Sequence, residues 1–343
     1  MLRRRSGRRP RRETLGKDFL ELISIPLGEL TGLLRLAADL KRKQRRGVVQ
    51  HHLQGKMLGL VFQKPSTRTR VSFEAGMNQL GGQAIVLPMA DIQLSRGESV
   101  ADTARVLSRY LDGLVIRTFD HAIVEEWARE ATIPVINGLT DLSHPCQALS
   151  DLLTIQEKKR RLQGIKIAYV GDGNNVTNSL IEASAKMGMS IAVGCPPGYL
   201  PDQHIVDWAR MEAQQTGATV EIHQDPHVAV KDADVVYTDV WISMGREREQ
   251  ARRLKTLAPY QLNERLLKRA KPDAIVMHCL PAHRGEEITA AVLDGPQSVI
   301  LDQAENRLHV QKAVLVRLLS EKRRPVFRSN SPCDEGDQMK GLR

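Results

Sequence analysis

The segment Ser66-Thr67-Arg68-Thr69-Arg70 places three hydroxyls and two guanidinium groups within five residues. It follows the apolar run Met57-Leu58-Gly59-Leu60-Val61-Phe62 and precedes apolar residues at helical spacing, Val71, Ala75 and Leu80 with Phe73 and Met77. This order predicts a strand, a turn and a helix, with the segment at the helix start. A helix start leaves backbone N–H groups unpaired and presents the positive end of the dipole, so these residues suit a small dianion such as phosphate. A capped helix start with two solvated arginines has the same composition, and the segment alone does not separate the two.

Other residues with chemical potential stand just after short apolar runs. Runs at Met57 to Phe62, Ala84 to Leu87, Leu114 to Ile116 and Pro134 to Ile136 read as strands, with helical patterns at Val100 to Tyr110 and Ile123 to Ala131. After a polar helix at about Ala148 to Leu162 the alternation restarts, with strands at Ile165 to Val170, Ile191 to Val193, Val220 to Ile222, Val235 to Tyr237, Ile275 to Met277 and Val299 to Leu301. The fold class expected is α/β, with two doubly wound parallel-sheet domains joined by interdomain helices. In such sheets ligands gather at the carboxyl ends of strands. Arg117, His144-Pro145-Cys146-Gln147, Gly171-Asp172-Gly173-Asn174-Asn175, Asp239 with Ser243-Met244-Gly245, and His278-Cys279-Leu280-Pro281 all fall there, and Arg307 is expected at a helix start just beyond the last strand.

The 343 residues suit two domains, and two domains imply a cleft. No apolar run approaches the ~20 residues that span a bilayer. The net charge of +10 points toward nucleic acid, but seven arginines among the first twelve residues account for most of it and leave +3 for the rest. With 4% aromatic residues, base stacking has little to work with. No nucleic-acid or membrane partner is therefore expected. Lys41-Arg42-Lys43 with Arg45-Arg46 reads as a solvated helix end. The arginine-rich start lacks the apolar core of a secretory signal and, like the Pro/Ser/Asp/Gly-rich stretch after about Arg324, reads as a disordered tail.

Cys146, Cys195, Cys279 and Cys333 have no zinc-type spacing and no secretory context, so reduced thiols and a cytoplasmic location are expected. His278, Cys279 and His283 lack a fourth ligand, and no metal or cofactor is expected. Gly171-x-Gly173 between a strand and a helix is a partial dinucleotide fingerprint. Val176 stands where its third glycine would be, and the next strand ends in Gly194-Cys195-Pro196 rather than in an acid for a ribose hydroxyl.

Ser-Thr-Arg-Thr-Arg, His-Pro-Cys-Gln and His-Cys-Leu-Pro, in this order, resemble the transcarbamoylase family over about Leu20 to Leu319. Asp239-Val240-Trp241-Ile242-Ser243-Met244-Gly245 and Cys279 are similar to its ornithine branch; the aspartate and putrescine branches lack the Ser-Met-Gly signature. The resemblance implies carbamoyl transfer from carbamoyl phosphate to the δ-amino group of L-ornithine, in arginine biosynthesis. It implies that Ser66, Thr67, Arg68, Thr69, Arg117, His144, Gln147, Cys279, Leu280 and Arg307 hold carbamoyl phosphate. Asn175, Asp239, Ser243 and Met244 would hold ornithine, with Arg68, Arg117, His144, Asp239, Cys279 and Arg307 closest to the chemistry. Thr69, Arg117 and His144 would face the oxygen on which charge develops. A Cys279 thiolate could accept a proton, and a buried inert thiol is the alternative. The family further implies a homotrimer in which Gln93 is donated by the neighbour.

In these terms the chain divides into a basic tail (1–17), a carbamoyl phosphate domain (18–150), an interdomain helix (151–163), an ornithine domain (164–304), a C-terminal helix packing back on the first domain (305–322) and a second tail (323–343). A putrescine carbamoyltransferase and a non-catalytic ligand- or nucleic-acid-binding protein are the competing readings.

Overall fold

Two parallel sheets, built from successive halves of the chain, carry the described part of this computed structural model, which comprises residues 16–243, 245 and 247–320. The first expected tail, apart from Gly16 and Lys17, and the whole of the second lie outside it, as do Met244 and Cys333. The first half runs α1 (Leu27–Arg45), β1 (Met57–Phe62), α2 (Thr67–Gln79), β2 (Gln83–Pro88), α3 (Val100–Tyr110), β3 (Gly113–Arg117), α4 (His121–Glu130) and β4 (Val135–Leu139). Helix α5 (Pro145–Lys159) leads to β5 (Lys166–Val170), α6 (Asn175–Met187), β6 (Ser190–Gly194), α7 (Gln203–Thr216), β7 (Val220–His223), α8 (Pro226–Val230) and β8 (Val235–Thr238). The chain then continues through α9 (Gln250–Leu257), α10 (Glu264–Leu267), β9 (Ile275–His278), α11 (Ala290–Leu293) and α12 (Ile300–Leu319).

The strand orders are β2-β1-β3-β4 and β7-β6-β5-β8-β9, with every pairing parallel. Strands β1, β3, β5 and β8 are buried along nearly their whole length, which is why they read as apolar runs without alternation. The order reverses between β1 and β3 in one sheet and between β5 and β8 in the other. A crevice opens at the carboxyl ends of such neighbours.

One apolar core continues from Phe19 and Leu58 of the first half to Ile167, Tyr169 and Met277 of the second, through α1, α5 and α12. Helix α12 packs on α1, α2 and α5. The two sheets thus share a buried back while their strand ends face each other across an open front.

Three local expectations are corrected. Val299 to Leu301 is not a strand: Ser298 makes a single bridge to Val276, and Ile300 already begins α12. Burial there follows a helical period through Ile300, Gln303, Arg307 and Val310, with Leu301 on the solvent side. The helix expected to be polar, α5, buries every residue from Pro145 to Ile155, because its hydroxyl and amide side chains are paired inside the protein. Lys41 is not solvated either. It lies within α1, 4% exposed, and donates to Asn306 Oδ1 at 2.7 Å and Glu157 Oε2 at 2.9 Å.

Candidate active site

Strand β1 delivers the chain to Ser66, whose hydroxyl accepts from the Thr69 N–H at 3.2 Å and so caps α2. Thr69 points inward, and its Oγ1 accepts from Arg307 Nη2 at 3.1 Å and from Arg117 Nη1 at 3.5 Å. Three elements distant in sequence therefore meet on one hydroxyl: the start of α2, the end of β3 and the second turn of α12. Arg307 lies within that helix rather than at its start. Arg68 lines the same cleft.

Arg117 is 5% exposed and Arg307 3%, and the Nε of each is buried without a partner. Among the described residues neither has a carboxylate at ion-pair distance. Burial lowers the Arg117 pKa from the ordinary guanidinium range to about 10, with Arg307 and Arg68 adding repulsion. Burial also lowers that of Arg307. Such a concentration of buried cations is unfavourable until an anion arrives. His144 precedes Pro145 at the start of α5, and its backbone N–H donates to Ser179 Oγ at 2.9 Å. Burial, then Arg307, Arg117 and Arg68, hold its pKa well below the ordinary value, so the ring is neutral and carries one N–H to donate.

The opposite wall is acidic. Cys279 Sγ lies 2.9 Å from Asp239 Oδ1 and donates to it, while Asn174 Nδ2 donates to Oδ2 at 2.7 Å. Desolvation, followed by the Asp239 charge, pushes the Cys279 thiol well above its ordinary pKa. In this geometry the sulfur is a donor and the carboxylate supplies the charge, which disfavours a proton-accepting thiolate. The Cys279 loop is set by its neighbours. Leu280 N–H donates to His278 Nδ1 at 2.9 Å, and His278 Nε2 faces the fully buried Glu287 at 3.1 Å, so both ring nitrogens of His278 are engaged.

These two walls, cationic and anionic, face one cleft of about 1050 Å³. A family model described as the carbamoyl-P binding domain of aspartate/ornithine carbamoyltransferase matches residues 17–157, and one described as its Asp/Orn binding domain matches residues 163–318. The chain belongs to the aspartate/ornithine carbamoyltransferase family. It is 59% identical over 303 residues to an ornithine carbamoyltransferase of Syntrophus aciditrophicus, covering 88% of this chain and 99% of that one. The solved ornithine carbamoyltransferase of Pyrococcus furiosus superimposes with a TM-score of 0.87 at 53% identity, over 89% of this chain and 98% of that one. That of Thermus thermophilus gives 0.80 at 42% identity, over 89% and 100%.

The residues expected from the family motifs are distributed as follows. Ser66, Thr67, Arg68, Thr69, Arg117, His144, Asn175, Asp239, Ser243, Cys279, Leu280 and Arg307 all line the cleft. Gln147 stands behind it, accepting from Arg307 Nη1 at 2.7 Å and donating to Asp151 Oδ1 at 2.8 Å. Gln93 is exposed and does not line the cleft of its own chain. Met244 lies outside the described residues.

Sequence reasoning missed the supporting residues. Lys64, which lines the cleft and pairs with Asp141, stands 4.0 Å over the Phe119 ring. Arg253 ion-pairs with Asp172, donates to the Trp241 carbonyl at 2.5 Å, and lies 4.9 Å from the Tyr199 ring. The glycine-rich turn has its own explanation: a Cβ on Gly173 would come within 2.3 Å of Pro201 N. The second glycine of the partial dinucleotide fingerprint thus admits a neighbouring loop, not a pyrophosphate.

Proposed function

We propose that this chain carbamoylates L-ornithine at its δ-amino group, using carbamoyl phosphate and releasing L-citrulline and phosphate. The observation that carries this reading is the pairing, in one cleft, of three arginines around Thr69 with a carboxylate–thiol pair at Asp239 and Cys279. The first group complements a phosphoryl dianion, and the second complements an alkylammonium.

The amine nitrogen attacks the carbamoyl carbon, the C–O bond to phosphate breaks, and the amine loses a proton. Ser66, Thr67, Arg68 and Arg117 hold the phosphate. Thr69, His144 and Arg117 face the carbamoyl oxygen and stabilise the negative charge that grows there in the tetrahedral transition state. A neutral His144 suits that task as a fixed donor. An unperturbed alkylammonium has a pKa near ~10.4 and carries no lone pair while protonated. Asp239 aligns it, with Cys279 and Asn174 fixing the carboxylate. Asn175, Ser243 and the Met244 backbone receive the α-amino and α-carboxylate groups.

A homotrimer in which exposed Gln93 completes a neighbour's site, a cytoplasmic location and a role in arginine biosynthesis belong to the same reading. An anabolic ornithine carbamoyltransferase of Pyrococcus furiosus, 54% identical, supports the direction. The test is citrulline formation with ornithine, putrescine and aspartate offered side by side. Ornithine is preferred if the reading holds; preference for putrescine, or product from none of them, overturns it.

A further inference from the structure

Asp151, on α5, is fully buried and touches no part of the cleft, yet three side-chain donors converge on it. Gln147 Nε2 lies 2.8 Å and Gln303 Nε2 2.7 Å from its Oδ1, and the Tyr237 hydroxyl lies 3.3 Å from Oδ2. Both glutamines are oriented at their far ends by groups that can only donate. Arg307 Nη1 reaches Gln147 Oε1 at 2.7 Å, and the backbone N–H of His278 reaches Gln303 Oε1 at 2.9 Å. Each amide must therefore turn its NH₂ inward, and two such groups need an acceptor. Gln147 is 2% exposed and Gln303 1%, so water cannot replace that acceptor.

We infer that Asp151 is a positioning residue that fixes both halves of the cleft from behind, through Gln147 to Arg307 and through Gln303 to the backbone N–H of His278, the residue before Cys279. The inference rests on the functional reading for what the two halves bind. Its logic is one of matched donors and acceptors: without an acceptor at Asp151, Gln147 is free to flip and set NH₂ against the Arg307 guanidinium, and Gln303 keeps only its bond to the Tyr237 oxygen at 2.9 Å to hold its carbonyl toward the His278 N–H. Burial raises the Asp151 pKa to about 7, consistent with a group retained for its acceptor atoms in a place unfavourable to its charge.

The amide of asparagine keeps an acceptor at Oδ1 and can donate toward the Tyr237 oxygen. Asp151→Asn should therefore keep kcat and both KM values within about threefold of wild type. Asp151→Leu removes the acceptor at similar volume, and should weaken carbamoyl phosphate binding and raise the ornithine KM, each by more than tenfold. Gln303→Leu, which cuts one branch only, should raise the ornithine KM while leaving the carbamoyl phosphate Kd within threefold. Steady-state kinetics, calorimetric titration with carbamoyl phosphate and thermal melting of all three variants beside wild type decide the matter. A folded Asp151→Leu with wild-type Kd and KM values overturns the inference, as does an Asp151→Asn protein that loses activity or fails to fold. Wild type that binds carbamoyl phosphate but makes no citrulline would instead overturn the functional reading, and the Kd comparison would still judge Asp151.

Discussion

Replacing Arg117 with methionine should stabilise the empty protein while nearly abolishing use of carbamoyl phosphate. In the folded state burial and two neighbouring arginines lower the Arg117 pKa by more than two units, to about 10. At about 1.36 kcal/mol per pKa unit, the charged form costs the fold on the order of 3 kcal/mol. Below pH ~10 both folded and unfolded chains carry this charge, so the penalty is constant across the neutral range. It disappears only as the pH rises through the folded pKa, where the native guanidinium would release its proton. Methionine keeps part of the apolar stem but loses the hydrogen bond to Thr69, so a net gain of about 1–2 kcal/mol is expected. The same change removes hydrogen bonds to a bound dianion, each worth roughly 1.5–3 kcal/mol when charged. Two such bonds correspond to a loss of at least about a hundredfold in affinity, at roughly 1.4 kcal/mol per tenfold. Urea unfolding with and without carbamoyl phosphate reads both effects, since a ligand that binds only the native state raises the midpoint. A variant less stable than wild type without ligand, yet still stabilised by carbamoyl phosphate, would refute the view of an anion pocket held open against repulsion.

The two walls should separate kinetically: Cys279→Ala is expected to raise the ornithine KM by roughly 10–100-fold, from one lost bond to a charged group. Arg68→Ala should instead raise the carbamoyl phosphate KM, and equal effects on both substrates in either variant would contradict the division. Because burial and Asp239 raise the Cys279 pKa, its alkylation by iodoacetamide, followed by mass spectrometry, should show no upturn near pH 8.5 in the empty protein. Glu182 is fully buried on α6 and accepts from the Leu22 N–H at 2.9 Å, and burial raises its pKa from 4.5 to about 8. The folded state thus holds a proton that the unfolded chain has released between those values, and stability is lost as the pH rises through them. Glu182→Gln should remove that loss, so that the variant gains on wild type in urea midpoint from pH 5 to pH 8; parallel midpoints would count against a buried neutral acid.

The parallel α/β architecture was legible because buried central strands such as Leu58 to Phe62 and Ile167 to Val170 must be apolar throughout, whatever surrounds them. The Ser66 turn was legible for the same local reason: capping and dipole are properties of a few consecutive residues. Val299 to Leu301 misled because a short apolar run has no period, and only continuation through Gln303 and Arg307 reveals the helix. Lys41 and the polar side chains of α5 misled because composition assigns them to solvent, whereas Asn306, Glu157, Gln303 and Asp151 provide partners more than 100 residues away or one helical turn along.

The sequence by itself determined which groups could bind an anion and which an amine, since hydroxyls, guanidinium groups, a thiol and a carboxylate have fixed chemistry. It also determined that they stand at strand ends. Only the tertiary structure decided that Arg117 and Arg307 share the Thr69 hydroxyl, that Cys279 donates to Asp239, and that Asp151 braces both walls from behind. Those outcomes depend on distances between segments far apart in the chain, and on how much water each group loses when the two sheets come together.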